Sequence, residues 1–172
     1  MALKILLLNP PYGKGRGFNR EGRCTQEAGF WTTPWPPYSL ASIAAVLRAE
    51  GHATEVLDCP AGRVGTAGLG AVAARGAFDL VIAAVSTETI GSDLRELAGL
   101  KAGRKLRVAV FGVHPSVRPE DAIGTDPGGP DFVILREPEE TARELAAVLD
   151  TGGAIDGVRG IAYRDSRTGG NR

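Results

Sequence analysis

Asn9-Pro10-Pro11-Tyr12 closes an apolar run, Leu3, Ile5, Leu6, Leu7 and Leu8, near the start of the chain. An Asn-Pro-Pro-Tyr tetrapeptide is a pattern with which amino-group methyltransferases hold a flipped base or an amide. That chemistry needs a second part, a glycine-rich turn from strand to helix that binds S-adenosylmethionine. The nearest candidates are Phe111-Gly112-Val113-His114 and the glycines between Gly13 and Gly17, and the latter open no helix before Tyr38. A P-loop fails as well, because GxxxxGK[ST] is absent, and Ser86 and Thr87 stand where a phosphoacceptor domain needs an acid. The tetrapeptide therefore reads as the entry to a loop.

The other residues able to do chemistry act by hydrogen bonding. Cys24 and Cys59 are too few and too far apart for a zinc site or a disulfide framework. No histidine has a second ligand at metal spacing, so no metal site is expected. His52 follows a helix-ending glycine and reads as structural. His114 precedes Pro115, which predicts an extended backbone at a strand end and a hydrogen-bonding side chain beside a ligand.

The elements that must position these groups follow from periodicity. The run 3–8 is short, continuously apolar and stopped by Asn-Pro-Pro, as in a strand covered on both faces. In 38–50, Leu40, Ile43, Ala44, Val46 and Leu47 recur at helical spacing, after Pro36 and Pro37 and before Gly51. Further strands are predicted at 54–57, 78–85, 106–111 and 131–135, with helices at 64–75, 92–100, a short one opening at Pro119, and 137–149. Five strands alternating with helices predict an α/β fold, a doubly wound, mostly parallel five-stranded sheet of flavodoxin-like or Rossmann-like kind, over residues 1–158. Residues 160–164 resemble one extra strand, and 159–172 read as the start of a linker ending without a packed element.

Ligands of such sheets bind beyond the carboxyl ends of the strands. That rule gathers Asn9, Pro10, Pro11, Tyr12, Asp58, Ser86, Thr87, Thr89, Gly112, Val113, His114, Arg136 and Glu137. Each has a plain alternative as a cap or a turn residue, and Glu137, Glu139 and Glu140 also suit a charged first helical turn. The connection 13–37 is long for a strand-to-helix loop and holds Phe18, Phe30, Trp31 and Trp35 interleaved with Arg16, Arg20 and Arg23. It reads as a lid over a large flat ligand or a docking surface, or else as a loop folded back over the sheet edge.

Composition narrows the class. A chain of 172 residues, 43% hydrophobic with zero formal net charge, has material for one core and lacks the basic footprint of a nucleic-acid binder. No apolar run approaches the roughly 20 residues of a membrane span. The chain opens on a strand rather than a signal peptide, and its cysteine usage suits a reducing cytoplasm.

Taken in order, NPPY after the first strand, PPYSLASIAAVLRAEGH leading into EVLD, DLVIAAVSTET, VAVFGVHPSVRPEDA and DFVILREPEETARELAAVL resemble the N-terminal domain of cobalamin-dependent radical S-adenosylmethionine enzymes. The resemblance runs almost end to end. It implies a Rossmann-like domain that buries the dimethylbenzimidazole tail of cobalamin along the sheet, with Tyr38, Ser39 and Leu40 joining the strand-end residues at the site. It also implies a following barrel with a CxxxCxxC motif, a [4Fe-4S] cluster and S-adenosylmethionine, in a parent enzyme that methylates unactivated carbon. This sequence holds no such motif, so the chain alone is not catalytic. The family's Gly-Gly-x-His turn reads Phe111-Gly112-Val113-His114 here, and its Gly-Glu-Gly-Glu turn reads Arg136-Glu137-Pro138-Glu139. The cobalt-ligating DxHxxG of other cobalamin proteins is absent, since Cys59 and Pro60 follow Asp58. The competing expectation is a non-catalytic flavodoxin-like module that binds another flat cofactor or a partner domain.

Overall fold

A computed structural model describes residues 2–13, 17–21, 26–27, 35–123 and 128–164. The first strand, β1 (Lys4–Asn9), carries five successive buried residues, as the unbroken apolar run requires. Two short strands, β2 (Phe18–Asn19) and β3 (Gln26–Glu27), pair antiparallel. In α1 (Tyr38–Ala49) the buried residues Leu40, Ile43, Ala44 and Leu47 form one helical face. Next come β4 (Ala53–Asp58), α2 (Cys59–Gly62), α3 (Thr66–Gly76), β5 (Leu80–Ala84) and α4 (Ile90–Lys101). The chain continues through β6 (Arg107–Phe111), α5 (Val113–Val117), α6 (Glu120–Ile123), β7 (Phe132–Ile134), α7 (Pro138–Thr151), a 3-10 turn at Ile155–Gly157 and β8 (Ile161–Tyr163). The last helix has its proline in the first turn and the left-handed Gly152 as its C-cap, where each residue type costs least.

The main sheet runs β4-β1-β5-β6-β7-β8. All its pairings are parallel except the last, β7 with β8. The five parallel strands have the flavodoxin-like order. The sheet holds six strands rather than five: the segment resembling an extra strand is its antiparallel edge, so pairing continues to Tyr163, past residue 158.

The strand pleat divides the core. Leu6, Leu8, Val81, Val108 and Val110 face Leu69 of α3 and Leu97 and Leu100 of α4. Ile5, Leu7, Leu80 and Ile82 face Leu40, Ile43 and Leu47 of α1 and Leu145 of α7. Each such fully buried side chain contributes about 1.5–3 kcal/mol relative to exposure. His52 is structural, as expected: its Nδ1 accepts the Leu3 backbone N–H at 3.2 Å, joining the end of α1 to the start of β1.

One local expectation is overturned. His114 is not extended but lies in the first turn of α5. Gly112, at φ 141°, turns the chain sharply out of β6, and Pro115 in the first helical turn has no N–H to leave unpaired. Lys14, Arg16, Arg23, Cys24, Phe30, Trp31 and the tail 165–172 lie outside the described residues.

Candidate functional site

Strand order reverses between β1 and β5, because the chain leaves β1 through α1 on one face and β5 through α4 on the other. A crevice beyond the strands' carboxyl ends is the expected result. Asn9 ends β1 there, and its Nδ2 donates to Asp58 Oδ1 at 3.0 Å at the end of the adjacent β4. Asp58 caps α2 by accepting the Ala61 N–H at 3.1 Å. Past β5, the Ser86 and Thr89 hydroxyls lie 2.8 Å apart, and Thr89 Oγ1 donates to Asp93 Oδ2 at 2.5 Å.

Arg20 joins these two groups. Its Nη1 donates to Asn9 Oδ1 at 2.6 Å and to the Pro10 carbonyl at 3.0 Å. Nε donates to Thr89 Oγ1 at 3.3 Å and Asp93 Oδ2 at 3.2 Å, and Nη2 donates to Asp93 Oδ1 at 2.7 Å. The Arg20 and Asp93 side chains are 1% and 0% exposed, so this is a buried ion pair whose survival depends on those hydrogen bonds. Burial pushes the Asp93 carboxyl above its ordinary value, against the pull of Arg20 and the Thr89 hydroxyl. Neither Arg20 nor Asp93 stood out in the sequence. An acid in the first turn of α4 has an ordinary dipole explanation, and Arg20 was one arginine of several in a long loop.

The structure divides the candidate residues by orientation. Leu40 is 0% exposed and belongs to the core, Pro10 and Pro11 are buried, and Asn9, Ser86 and Thr89 point inward. Ser39 is held by Glu21, whose carboxylate accepts from its Oγ at 2.8 Å and from its N–H. Open to solvent along the same strand-end edge are Tyr38, Thr87, Val113, Arg136 and Glu137, with Tyr12 half-buried against Phe18, ring centroids 4.4 Å apart. Tyr38 and Val113 are more than half exposed, as is Trp35 just before α1, which is unusual for large apolar side chains.

His114 lies at that edge with both ring nitrogens engaged: Nε2 is 3.0 Å from Asp121 Oδ2 and Nδ1 is 3.3 Å from Thr87 Oγ1. A carboxylate only accepts, so in the neutral ring Nε2 carries the proton and Nδ1 accepts from Thr87. Arg118 and His114 hold the Asp121 carboxyl below its ordinary value. The departures from family glycines also acquire a geometry. Arg136 has φ 62°, a conformation suited to glycine, and its side chain is exposed, so its bulk points outward. Cys59 is buried and its thiol is pushed up to about 12, chiefly by burial and then by Asp58, which makes it inert.

A family model described as the B12 binding domain matches residues 31–146, about two thirds of the chain. The chain belongs to the B12-binding domain family. This B12-binding domain also superposes on a radical S-adenosylmethionine methyltransferase, TsrM from Kitasatospora setae, solved with cobalamin and a [4Fe-4S] cluster bound. The TM-score is 0.76 at 20% identity, over 99% of this chain and 28% of that one. It superposes as well on OxsB, a cobalamin-dependent S-adenosylmethionine radical enzyme solved with aqua-cobalamin and S-adenosylmethionine bound, with TM-score 0.78 and 19% identity over 99% of this chain and 22% of that one. At these identities the likeness is one of fold, and the chain spans about a quarter of the length of those proteins. No curated protein matches it. Among the described residues no helix is long and apolar enough to cross a membrane.

The strand-end edge of this B12-binding domain fits a corrin in kind. Its exposed aromatic and aliphatic side chains are of the kind that suits a flat, largely apolar ring, and the exposed Thr87 and Arg136 side chains are of the kind that pairs with peripheral amides. Among the described residues no group of three His, Cys, Asp or Glu side chains could hold a metal ion.

Proposed function

We propose that the chain binds cobalamin at the carboxyl edge of its sheet, as the cofactor-holding part of a longer radical S-adenosylmethionine enzyme that methylates unactivated carbon. The observation that carries the reading is that exposed Trp35, Tyr38, Thr87 and Val113, with His114, all lie on the connections or first helical turns that leave the carboxyl ends of β1, β5 and β6 in a B12-binding domain. In this reading the bound cofactor supplies a transferable methyl group on cobalt. The protein's own residues bind and orient it: apolar side chains cover the ring, and Thr87 and Arg136 hydrogen-bond its periphery. His114 lies beside the ligand as a shape-defining residue that holds the Thr87 hydroxyl, rather than as a cobalt ligand, because Thr87 and Asp121 engage its two ring nitrogens. Radical initiation and the [4Fe-4S] cluster belong to the barrel expected in the parent chain, and compartment and substrate follow from that parent.

Titration with hydroxocobalamin tests this reading. Binding should perturb the corrin absorption and keep the cofactor with the protein through a desalting column. No spectral change and no retention would instead favour a flavodoxin-like module that docks a partner domain.

A further inference from the structure

Four consecutive residues of the long connection after β1 each tie a different part of the molecule. Phe18 is 2% exposed, with its ring on Tyr12 at 4.4 Å. Asn19 Oδ1 accepts the Trp35 backbone N–H at 2.9 Å. Arg20 is bound to Asp93 at the start of α4 and to Asn9 at the end of β1. Glu21 accepts from both the N–H and the hydroxyl of Ser39 in the first turn of α1. Because α1 has Pro37 as its N-cap and no cap from its own side chain, Glu21 supplies the missing acceptor from a distance in sequence.

Arg20 is the centre of this group. Its guanidinium lies 5.2 Å from the Phe18 ring centroid, and the acid it meets is fully buried in the first turn of α4. A surface arginine left to water would cost the fold nothing. An arginine buried against a 0% exposed aspartate is retained only where its nitrogens are hydrogen-bonded, and five hydrogen bonds to Asn9, Pro10, Thr89 and Asp93 engage all three nitrogens of Arg20, the single Nε N–H being shared between Thr89 and Asp93.

We propose that Arg20 is a positioning residue of the cofactor site: anchored on Asp93, it clamps the segment Phe18–Glu21 across the β1/β5 crevice and so sets the placement of Trp35 and Tyr38 at the ligand edge. The proposal rests on the cobalamin reading for the identity of the ligand, while the clamp itself stands on the hydrogen bonds of the protein. Asn9, Ser86 and Thr89 act through Arg20 rather than on the ligand, since their side chains face the clamp.

The test uses the 172-residue chain in four forms: wild type, Arg20→Ala, Arg20→Lys, and Arg20→Met with Asp93→Leu. The last exchanges the buried ion pair for an apolar pair and should keep the fold where the single alanine variant fails. Hydrogen exchange at the Trp35 and Ser39 amides reads the clamp without any ligand, and hydroxocobalamin titration reads the site. Arg20→Ala and the apolar pair should speed exchange at both amides and weaken hydroxocobalamin binding at least tenfold. Arg20→Lys should recover part of each, through charge without the forked geometry. If the apolar pair folds and binds hydroxocobalamin as wild type does, or if exchange at Trp35 and Ser39 does not change, Arg20 is a structural residue only and the proposal fails. A wild-type chain that does not bind hydroxocobalamin overturns the proposed function and, with it, the site role of Arg20; exchange then judges the clamp alone.

Discussion

Two backbone positions with positive φ illustrate how differently single residues are constrained. Gly112, at φ 141°, passes so close to the end of β5 that an added Cβ would stand 2.1 Å from the Val85 carbonyl oxygen. Backbone cannot yield as a side-chain tip can, and the conformation is nearly exclusive to glycine. Gly112→Ala should therefore destabilise the fold by about 3 kcal/mol or more, read as a lowered urea midpoint. An unchanged midpoint would show that β5 and β6 separate easily. Arg136 is the opposite case: a left-handed residue at φ 62° with its side chain in solvent and its N–H donated to Ser116 Oγ at 2.9 Å. Glycine keeps that N–H and removes the Cβ strain, so Arg136→Gly should stabilise by roughly 0.5–1 kcal/mol after the entropy of the unfolded chain is counted. A loss of stability in the same denaturation experiment would mean that the Arg136 side chain has a partner worth more than the strain.

At the scale of elements, α5 replaces what periodicity reads as an extended strand end, α6 is the short helix expected to open at Pro119, and their junction is an ionic one. Asp121 of α6 accepts from Arg118 Nε at 2.9 Å and faces His114 Nε2 at 3.0 Å. The Arg118 hydrogen bond, first among the causes, keeps the Asp121 carboxyl below the ordinary 3.8 of an aspartate. A folded value below the unfolded one means that the pairing contributes above pH 3.8 and is lost as pH falls through the lower folded value. Carboxyl carbon NMR should find the Asp121 midpoint below 3.8, and Arg118→Ala should move it upward. A midpoint at or above 3.8 in the wild type would remove the pairing that sets the His114 tautomer.

For the whole molecule, the open question is where the folding unit ends. β8 covers the edge of β7 through the pairs Phe132 with Tyr163, Val133 with Ala162 and Ile134 with Ile161, and Ala162 is 8% exposed within the core. A chain ended at residue 158 should fold with about 2 kcal/mol less stability and associate more readily, because the β7 edge is left open. Equal stability and a monodisperse monomer would place the boundary before β8. The parallel order was readable in advance because continuous apolar runs of strand length, such as Ile5 to Leu8 and Leu80 to Val85, need cover on both faces, and right-handed crossovers then leave few topologies. The strand-end residues were readable for the same reason, since a parallel sheet collects its loops at one edge. The sequence by itself thus determined the layers, the parallel run of five strands and the edge on which the candidate residues fall. Only the tertiary structure decided which residues on that edge face outward. Asn9, Ser86 and Thr89 turn away from solvent because Arg20, far from Asp93 in the chain, carries a charge that must be paired once buried, and no local pattern in a loop shows where such a partner will be.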